Sequence, residues 1–565
     1  HKVTIHSSFN QVTWGALTVS QVTEPDILIQ ELTEQTGSFR MEYLASVRDG
    51  KTRNFYRVSE FYRIRYTPDR MYLLDYEREM DQIFDDEADI FVNDKIMLGI
   101  VGDEIRIHES DGGNVLAFTT ADKLYSYNVT DNKLARLFSF YENTEGLSDA
   151  RNAYDRHDIQ ILSVDEAGDV NFLVYGYMNR GRHEGSVGVV VYHYDSTANT
   201  VEEKIYIPYH KSYEMLKNEI GYLSYVNKAN IYYFMMDGCV YAVNLETESC
   251  QIIVSGLREG CYRVSESNKM LVWQEGDDLH AGNRLVLMNL NTQGQTSIAA
   301  GVGEYISILG FMDEDMIYGL TRQRDILVES SGSVIYPMYR ICIQSEDGNV
   351  LKTYHKEGIY VTGSTIEENQ ITLSRVIWNE ETETYEAAAD DQIMSTEQIR
   401  EGINTINNVV TETYETISQI VVKNEIDVKS LKRLTPREVL FEGNHDIEIS
   451  EPGEKEERYY VYGKHGIEGV YTDPGRAVAL AYTEAGVVVD DEGKYIWRRE
   501  TRSTRNQIMA ITEDEMSETR SSLSVCLDTI LKFEGVSRQT QRLLDRGDTV
   551  FSILETNLQE NTVLD

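Results

Sequence analysis

Two nucleophilic side chains, Ser522 and Cys526, lie near the C-terminal end of the chain, in the segment SSLSVCLDTILKFEG at 521–535. The apolar residues of this segment recur at spacings of three and four, which predicts an amphipathic helix from Ser517 to Glu534 that ends at Gly535. A hydroxyl or thiol on such a helix acts as a nucleophile when a base takes its proton and a donor holds the oxyanion. Ser522 and Cys526 are therefore the catalytic candidates of this sequence.

The segment resembles the opening of a bacteriocin-processing (C39-like), papain-like cysteine peptidase domain, in which Cys-Gly-Pro-Ala-Ala-Leu begins a helix. When the Gly that ends the family's helix is aligned with Gly535, Ser522 stands at the nucleophile's position, Leu523 at the Gly and Cys526 at the second Ala. The resemblance implies that residues 503–565 are the start of such a domain, in a degenerate or truncated form.

Departures from the family pattern argue against catalysis. The family's oxyanion donor is a Gln upstream of the Cys, and Met516 stands there, or Arg520 if Cys526 is the nucleophile. The family's His lies downstream of the Cys, whereas the last histidine of this chain is His465. We therefore expect no catalytic residue, and we expect Cys526 to be a buried structural thiol on the apolar helix face.

A second group of candidates lies in the segment YMNRGRHEG at 177–185, which interrupts two predicted strands. It carries Arg180, Arg182 and His183 in a very acidic chain. Loops that join rigid elements commonly carry binding residues, so these three are the candidates for a binding loop. A flexible insertion without a ligand is the competing interpretation.

Metal and cofactor sites are not indicated by the sequence. His183, His193 and His210 have no carboxylate beside them at ligand spacing. The acidic stretches at 84–89, 165–169 and 312–316 do not spell a calcium-binding loop, and we interpret them as hairpin tips. The five cysteines form no CxxC or Cys/His pattern, so we predict free thiols and no zinc, and phosphate-binding or dinucleotide glycine patterns are missing as well.

A repeat along the chain predicts the architecture that must position these residues. An alternating apolar strand, a polar turn and a second alternating strand recur about every 50 residues. The segments with this pattern are 71–84, 124–138, 191–207, 240–254, 285–299 and 339–354. Each unit has room for two further strands before the hairpin, which predicts a four-stranded antiparallel sheet repeated radially.

The predicted fold is therefore mainly β, a β-propeller of about seven four-stranded blades (range six to eight) over residues 1–443, similar to WD40 or quinoprotein-type propellers in layout. We expect the strands near 26–32 and 39–47 to help close the ring, because propellers usually complete one blade from both chain ends. Residues 395–411 read as a helical insertion near the closing blade, with Ser395 and Gln398 as a capping box. The stretch 418–442 returns to strand character, in the closing blade or at its exit.

The C-terminal fifth of the chain has a different organisation. Residues 444–458 read as a linker because they are charged and rich in turn formers. Residues 459–502 alternate strand, helix and strand, with a helix that begins at Asp473-Pro474 and ends at Gly486, which predicts a small α/β module. The helical segment 503–565 follows, with two further helices expected to start at Ser537 and Asp548.

The composition limits the partners. The 53 Lys and Arg residues against 94 Asp and Glu give a net charge of −41, which repels phosphate backbones, so we predict no nucleic acid partner. No window reaches the roughly 18 apolar residues of a membrane span, so we predict no membrane insertion by this chain. The chain starts at His1 without Met or a signal peptide, and we expect an upstream part that could hold an export or anchor segment.

These observations favour a non-enzymatic, extracytoplasmic or cell-surface bacterial protein whose propeller is a recognition platform for a protein, peptide or glycan. Two alternatives stay open. One is a papain-like cysteine peptidase or transferase, completed around Ser522 or Cys526 by residues absent from this chain. The other is a propeller glycosidase or lyase, which requires carboxylates and aromatic residues clustered at one mouth of the channel.

Overall fold

The structure, a computed structural model, is mainly β and places most residues in antiparallel sheets. The residues that it describes are 2–14, 18–49, 52–88, 90–101, 105, 107–120, 122–140, 154, 156–276, 280–328, 334–367, 369–394, 402–410, 416–449, 457–498, 520–533, 536 and 538–557.

The described strands between residues 2 and 82 form a separate six-stranded sheet, called here the N-terminal sheet. Its strands are Val3–Thr4, Val19–Gln21, Asp26–Leu32, Thr36–Asp49, Thr52–Tyr66 and Met71–Gln82, with the short helix α1 at Phe9–Val12. The predicted hairpin at 71–84 is wrong, because alternation continues through Met71–Gln82 as one strand that pairs with Thr52–Tyr66. The strands at 26–32 and 39–47 also stay within this sheet and do not close the propeller.

Four four-stranded antiparallel units follow, each in the predicted strand order. The strands of the first unit are Ile107–Glu109, Val115–Thr120, Lys123–Asn128 and Lys133–Ser139, and those of the second are His157–Val164, Val170–Tyr177, Val187–Asp195 and Thr200–Tyr209. The strands of the third unit are Ser224–Val226, Ile231–Met236, Cys239–Asn244 and Cys250–Val254. The strands of the fourth unit are Tyr262–Val264, Met270–Glu275, Arg284–Asn289 and Gln295–Ala299. Helix α2, Tyr213–Tyr222, connects the second unit to the third.

The fifth and sixth units form one seven-stranded sheet. The fifth has Glu304–Met312, Asp315–Arg322, Met338–Gln344 and Val350–Tyr354, and the sixth has Ile359–Glu367, Gln370–Asn379 and Thr384–Met394. The pair Met338 and Val361 joins them. A small hairpin of Leu327–Val328 and Val334–Ile335 lies beside them. These two units share one continuous sheet, so the sheets do not give a blade count directly. The count of seven blades therefore stays a prediction.

The closing sheet takes strands from both ends of the propeller, as expected. Phe91–Val92 pairs with Lys95–Gly99, which pairs with Thr416–Val421, which in turn pairs with Thr405–Val410. The predicted helix at 395–411 is wrong for its second half, because Thr405–Val410 is a strand with Val409 and Val410 at the exposed edge. Its first half, 395–401, lies outside the described residues.

Neighbouring units share hydrophobic clusters, and this packing identifies the fold. Leu124 packs with Phe172 of the second unit. The next residue, Tyr125, points to the opposite side and packs with Ile96 and Ile420 of the closing sheet. Similar clusters join the second unit to the third, the third to the fourth, the fourth to the fifth and the fifth to the sixth. Each inner sheet therefore buries both faces against its neighbours, which is the arrangement of a β-propeller.

The chain leaves the propeller along the outer edges of its first two units. Lys432–Leu434 pairs in parallel with Lys133–Ser139, and Arg437–Glu438 pairs in parallel with Thr200–Tyr209. The beginning of the predicted linker continues along this edge, because Ile447 N donates to Tyr206 O at 2.7 Å and the Ile447 side chain is buried. Residues 450–456 of the linker lie outside the described residues.

A small α/β sheet and a group of helices complete the chain. The sheet contains Tyr459–Gly463, Gly466–Tyr471, Val487–Val489 and Tyr495–Arg498, and helix α3, Pro474–Thr483, packs on it. Asp473 caps α3 by accepting a hydrogen bond from Gly475 N at 2.8 Å. The last helices are α4 at Ser522–Phe533, α5 at Thr540–Leu544 and α6 at Val550–Asn557. No helix in the described ranges is long and apolar enough to cross a membrane.

Candidate functional site

The thiol of Cys526 is exposed, so the prediction that it is buried is wrong. Leu527 and Leu531 pack against Ile553 of α6, whereas Leu523 and Ile530 are each 46% exposed. Part of the predicted apolar face of α4 therefore packs in the core between the C-terminal helices, and the other part is exposed to solvent.

Polar contacts explain this orientation of α4. The buried Asp528 carboxylate accepts a hydrogen bond from Thr540 N at 2.8 Å and pairs with Arg520. The Thr540 hydroxyl donates to Ser524 O at 2.9 Å. These contacts fix Ser524 and Asp528 on the inner side of α4 and turn Cys526 outward, because a buried charge must keep its partners.

The predicted binding loop at 177–185 is engaged by the chain itself. Arg182 donates to the carbonyl of Gly443 and stacks at 4.4 Å over the ring of Phe441. His183 stacks on Tyr206 at 3.7 Å, and its Nε2 lies 2.8 Å from Glu203. The loop therefore fastens the segment that leaves the propeller to the second unit. Whether Arg180, Arg182 and His183 also bind a ligand stays a prediction.

Histidines and carboxylates do not gather into a metal-binding group within the described residues. His193 Nδ1 lies 2.9 Å from Asn171 Oδ1, away from the contacts of His183. At the acidic tip 165–169, Asp165 accepts hydrogen bonds from Gly168 N and Asp169 N, both at 2.9 Å. This acidic tip is an ordinary hairpin turn.

A cleft of about 1600 Å³ lies between the N-terminal sheet, the propeller and the α/β sheet. The N-terminal sheet contributes Leu28, Ile29, Arg40, Glu42, Arg57 and Ser59 to its wall. The propeller side contributes Asp158, Tyr209, Lys211, Tyr213, Lys217 and Asp237, and the α/β side contributes Tyr462, His465, Asp491 and Tyr495. The cleft is therefore assembled from segments that are far apart in the sequence.

Ion pairs hold the N-terminal sheet against the propeller wall of the cleft. Arg57 pairs with Asp122 of the first unit, and Arg156 lies 3.2 Å from Glu42. These arginines belong to a cluster of basic residues in the cleft, with Arg40, Lys211 and Lys217. Because acidic residues also line the walls, the cleft offers paired charges of both signs in an otherwise acidic chain.

A buried carboxyl group on α2, that of Glu219, lies behind the cleft wall, in a small neighbouring cavity that Asp237 and Arg458 also line. Ser212 caps this helix, and Glu219 lies on its apolar side beside Ile220. Glu219 Oε2 accepts a hydrogen bond from Asp237 N at 2.6 Å, and Glu219 Oε1 lies 4.0 Å from Arg458. Burial, followed by the nearby Asp237 carboxylate, raises the pKa of Glu219 to about 7.

The two-residue turn Asp237-Gly238 places Asp237 at this site. Both residues have positive φ, +50° and +68°, as the tight hairpin between Ile231–Met236 and Cys239–Asn244 requires. The Asp237 carboxylate pairs with Lys211, which also lies 3.9 Å from Asp491 of the α/β sheet. The turn thus connects the buried carboxyl of Glu219 to the charged residues of the cleft wall.

Two tyrosine hydroxyls at the same site, those of Tyr209 and Tyr460, are buried and make no hydrogen bond. Burial and the Glu219 charge raise the pKa values of both phenols. A buried carboxyl whose pKa lies near neutrality, among groups that can donate hydrogen bonds, can hold or release a proton under ordinary conditions. The arrangement places a buried carboxyl group with a raised pKa between the propeller and the α/β sheet.

A second cavity of about 900 Å³ lies beside the innermost strands of the fourth, fifth and sixth units. Its aromatic residues are Tyr222, Tyr262, His280, Tyr336 and Tyr385. Glu259 is the only carboxylate among the described residues that line it, and it lies 3.8 Å from Arg476. Most glycosidases use two carboxyl groups, so this lining alone does not provide the pair that the glycosidase alternative requires.

Sequence reasoning missed Glu219, although one signal for it exists. In YEMLKNEIGY at 213–222 the apolar positions Met215, Leu216 and Ile220 define the buried side of α2, and Glu219 falls on that side. A carboxylate at an apolar helical position is expected to be paired or protonated. Tyr209 and Tyr460 carried no such signal, because tyrosine is common in the buried strands of this chain.

No family model matches the chain, and no curated protein matches its sequence. Similar solved structures include the tricorn protease (10% identity, TM-score 0.27, over 70% of this chain and 43% of that one). Another is the dipeptidyl peptidase 4 of Porphyromonas gingivalis (11% identity, TM-score 0.25, over 60% of this chain and 62% of that one). A third is a post-proline cleaving enzyme from Rickettsia typhi (8% identity, TM-score 0.28, over 62% of this chain and 57% of that one). The chain spans between 43% and 62% of the length of these three proteins. The assignment of a β-propeller rests on the sheet order and the shared clusters of this chain.

Proposed function

We propose that this protein is a non-enzymatic recognition platform and that its ligand, a protein, peptide or glycan, binds in the cleft. The observation that carries the proposal is the cleft itself, about 1600 Å³ with apolar, aromatic and charged side chains from three parts of the chain. Large concave sites between structural units, with a few well-placed polar groups, are the usual location of ligand binding.

The location of the nucleophile candidates supports a role without catalysis. Ser522 and Cys526 lie on α4, and neither residue lines the cleft. The chain contains no histidine after His465, so α4 to α6 carry no imidazole base of their own. A nucleophile without a base and an oxyanion donor is a poor catalyst.

Filling the cleft tests the proposal. Ser59 lies on the cleft wall, so Ser59→Trp reduces its volume, whereas Thr382→Trp places the same side chain on an exposed turn of the sixth unit. The probes are a peptide mixture from limited proteolysis of casein and a mixture of bacterial cell-wall glycan fragments. The readout is amide hydrogen exchange measured by mass spectrometry, with and without each probe.

We expect one of the mixtures to slow exchange in segments that line the cleft, among them 36–49 and 208–218. Ser59→Trp is expected to remove this protection, and Thr382→Trp is expected to retain it. Protection confined to the second cavity, equal protection in both variants, or no protection by either mixture contradicts the proposal.

An extracytoplasmic or cell-surface location is part of the same proposal. Its support is compositional: 37 tyrosines and a net charge of −41 with few lysines. Protease added to intact source cells is expected to degrade the protein without prior lysis. Degradation only after lysis contradicts an extracytoplasmic location.

The exposure of Cys526 is the one observation that favours the papain-like peptidase alternative. An epoxysuccinyl inhibitor of papain-like peptidases separates an activated thiol from an ordinary exposed one, because it requires a formed active site. Labelling of the folded protein that disappears in Cys526→Ala and after denaturation supports that alternative. Labelling by iodoacetamide alone supports an unactivated surface thiol.

A further inference from the structure

One strand that borders the cleft has an unpaired edge. The strand Asp26–Leu32, called here the edge strand, pairs in the described part of the chain with Thr36–Asp49 alone. An unpaired strand edge presents a row of N–H and C=O groups that can bind another extended backbone.

The register shows which backbone groups point to the open side. Thr33 N donates to Thr36 O at 2.8 Å, which makes Thr33 and Thr36 a hydrogen-bonded pair. Pairs alternate between bonded and non-bonded along an antiparallel ladder, and the β-bulge between Ile29 and Glu31 uses one extra residue. Ile29 and Ile27 therefore make no backbone hydrogen bonds to Thr36–Asp49, and they turn their N–H and C=O groups outward. Their partners in the ladder are Phe39 and Met41.

The pairing of Thr36–Asp49 with its other neighbour, the strand Thr52–Tyr66, gives the same result independently. Tyr66 N donates to Gln35 O at 2.7 Å, so Gln35 bonds to the strand Thr52–Tyr66. By alternation Phe39 and Met41 also bond towards that strand and not towards the edge strand. The backbone groups of Ile27 and Ile29 are thus left without a partner from Thr36–Asp49.

Apolar side chains accompany these backbone groups. Ile27 is 57% exposed and Ile29 is 60% exposed, and Leu28 on the opposite face is 41% exposed. Natural edge strands are usually protected by charges, proline or a bulge. Here the bulge protects the end near Glu31, while the half from Ile27 to Ile29 stays open.

The open half of the edge strand is continuous with the cleft, because Leu28 and Ile29 line it. We propose that the edge strand binds an extended peptide by strand addition, with the peptide backbone on Ile27 and Ile29 and its apolar side chains on Ile27, Leu28 and Ile29. Basic residues between the apolar ones suit the net charge of −41. This inference rests on the proposed function and names its ligand class.

The test uses a designed probe, the fluorescently labelled heptapeptide Lys-Val-Lys-Val-Lys-Val-Lys. Its control is the same peptide with every second backbone nitrogen methylated, which keeps the side chains and charge but blocks one edge of the strand. We expect the heptapeptide to bind at 0.15 M salt and to protect the amides of Ile27 and Ile29 from hydrogen exchange. The methylated peptide is expected to bind at least about tenfold more weakly, since strand addition depends on backbone hydrogen bonds.

Two variants of one residue separate backbone from side-chain effects. Ile29→Pro removes an outward N–H without removing a bond to Thr36–Asp49, as an edge position permits, so the fold is retained. Ile29→Thr shortens the same side chain and keeps the N–H. We expect Ile29→Pro to weaken binding about tenfold or more and Ile29→Thr to weaken it about threefold or less.

Three outcomes overturn the inference. The first is equal binding of the plain and methylated peptides, which indicates attraction to the acidic surface alone. The second is equal binding by Ile29→Pro and the unmodified protein. The third is a dimer, detected by light scattering without peptide, that Ile29→Pro converts to monomer, because a second copy then occupies the edge. If any of these occurs while the casein or glycan mixture still protects the cleft, the proposed function stands without strand addition.

Discussion

The ammonium group of Lys464, in the tight turn between Tyr459–Gly463 and Gly466–Tyr471, lies 2.5 Å from the Glu77 carboxylate of the N-terminal sheet. Arg40 of the same sheet donates to the Lys464 carbonyl, also at 2.5 Å. The turn therefore joins the α/β sheet to the N-terminal sheet across the cleft. The shape of the cleft depends on this contact, because it connects two of the three walls.

Replacing Lys464 by Met is expected to destabilise this junction. Glu77 is 8% exposed in its side chain and keeps Lys2 as a partner, so we expect the free energy of unfolding to fall by about 1 kcal/mol. Chemical denaturation followed by tyrosine fluorescence measures the change. Lys494→Met removes an exposed pair with Glu492 and is the matched control, with no change in midpoint expected. A larger effect from the control contradicts the role of Lys464.

The pKa of Glu77 adds a pH dependence to the same contact. The hydrogen bonds from Lys2 and Lys464 outweigh the opposing effect of burial and lower the pKa of Glu77. A carboxyl group whose pKa is lowered by folding stabilises the folded chain at pH values above its pKa in the unfolded chain. This stabilisation is lost as the pH falls through the pKa of the group in the folded chain. We expect the stability difference between the unmodified protein and Lys464→Met to shrink below about pH 4, and a difference constant down to pH 2 contradicts this.

Glu219 is expected to affect stability in the opposite direction. Its pKa is raised from 4.5 to about 7, so between these values the folded chain holds a proton that the unfolded chain has released. Stability therefore falls as the pH rises through this window. Glu219→Gln is expected to remove this loss, a relative gain of up to about 3 kcal/mol by pH 8. Parallel stability curves for the two proteins between pH 4.5 and 8 contradict the account.

The five cysteines are expected to react in the order of their exposure. Cys526 is exposed, Cys250 is half-buried, and Cys239, Cys261 and Cys342 are buried. Burial also raises the pKa of the Cys239 and Cys250 thiols, which slows their reaction. Mass spectrometry after brief treatment with iodoacetamide should find Cys526 modified first. Modification of a buried thiol before Cys526 contradicts the orientation of α4.

The closing sheet is expected to be important for stability. Ile420 is fully buried between this sheet and the first unit, so Ile420→Ala should lower the free energy of unfolding by about 2–4 kcal/mol. Val410→Ala, on the exposed edge of the same sheet, is the matched control and should change it by less than about 0.5 kcal/mol. Equal effects of the two substitutions contradict the packing of the closing sheet against the first unit.

The repeat could be predicted from sequence because its signals are local. Alternating strands such as Cys239–Asn244 and turn residues such as Asp237-Gly238 identify each hairpin without knowledge of the rest of the chain. The closing sheet required pairing Lys95–Gly99 with Thr416–Val421, and local patterns do not specify such distant partners. The pairing of Met71–Gln82 with Thr52–Tyr66 is likewise not specified by local alternation, which by itself predicts a hairpin there.

The candidate site could not be predicted for a related reason. The cleft brings together Ile29, Lys211 and His465, whose neighbours in sequence show no common motif. Apolar spacing alone puts Cys526 on the wrong side of α4, because the contact of Asp528 with Thr540 sets the orientation of the helix. Only Glu219 could have been found beforehand, from its apolar helical position.

A structure determined with the casein peptide mixture or the Lys-Val heptapeptide bound tests the central claim most directly. The account predicts density in the cleft between the N-terminal sheet and the propeller, within contact distance of Ile29, Tyr213 and Tyr462. Density in the second cavity near Tyr336 and Tyr385, with the cleft unchanged, would contradict it.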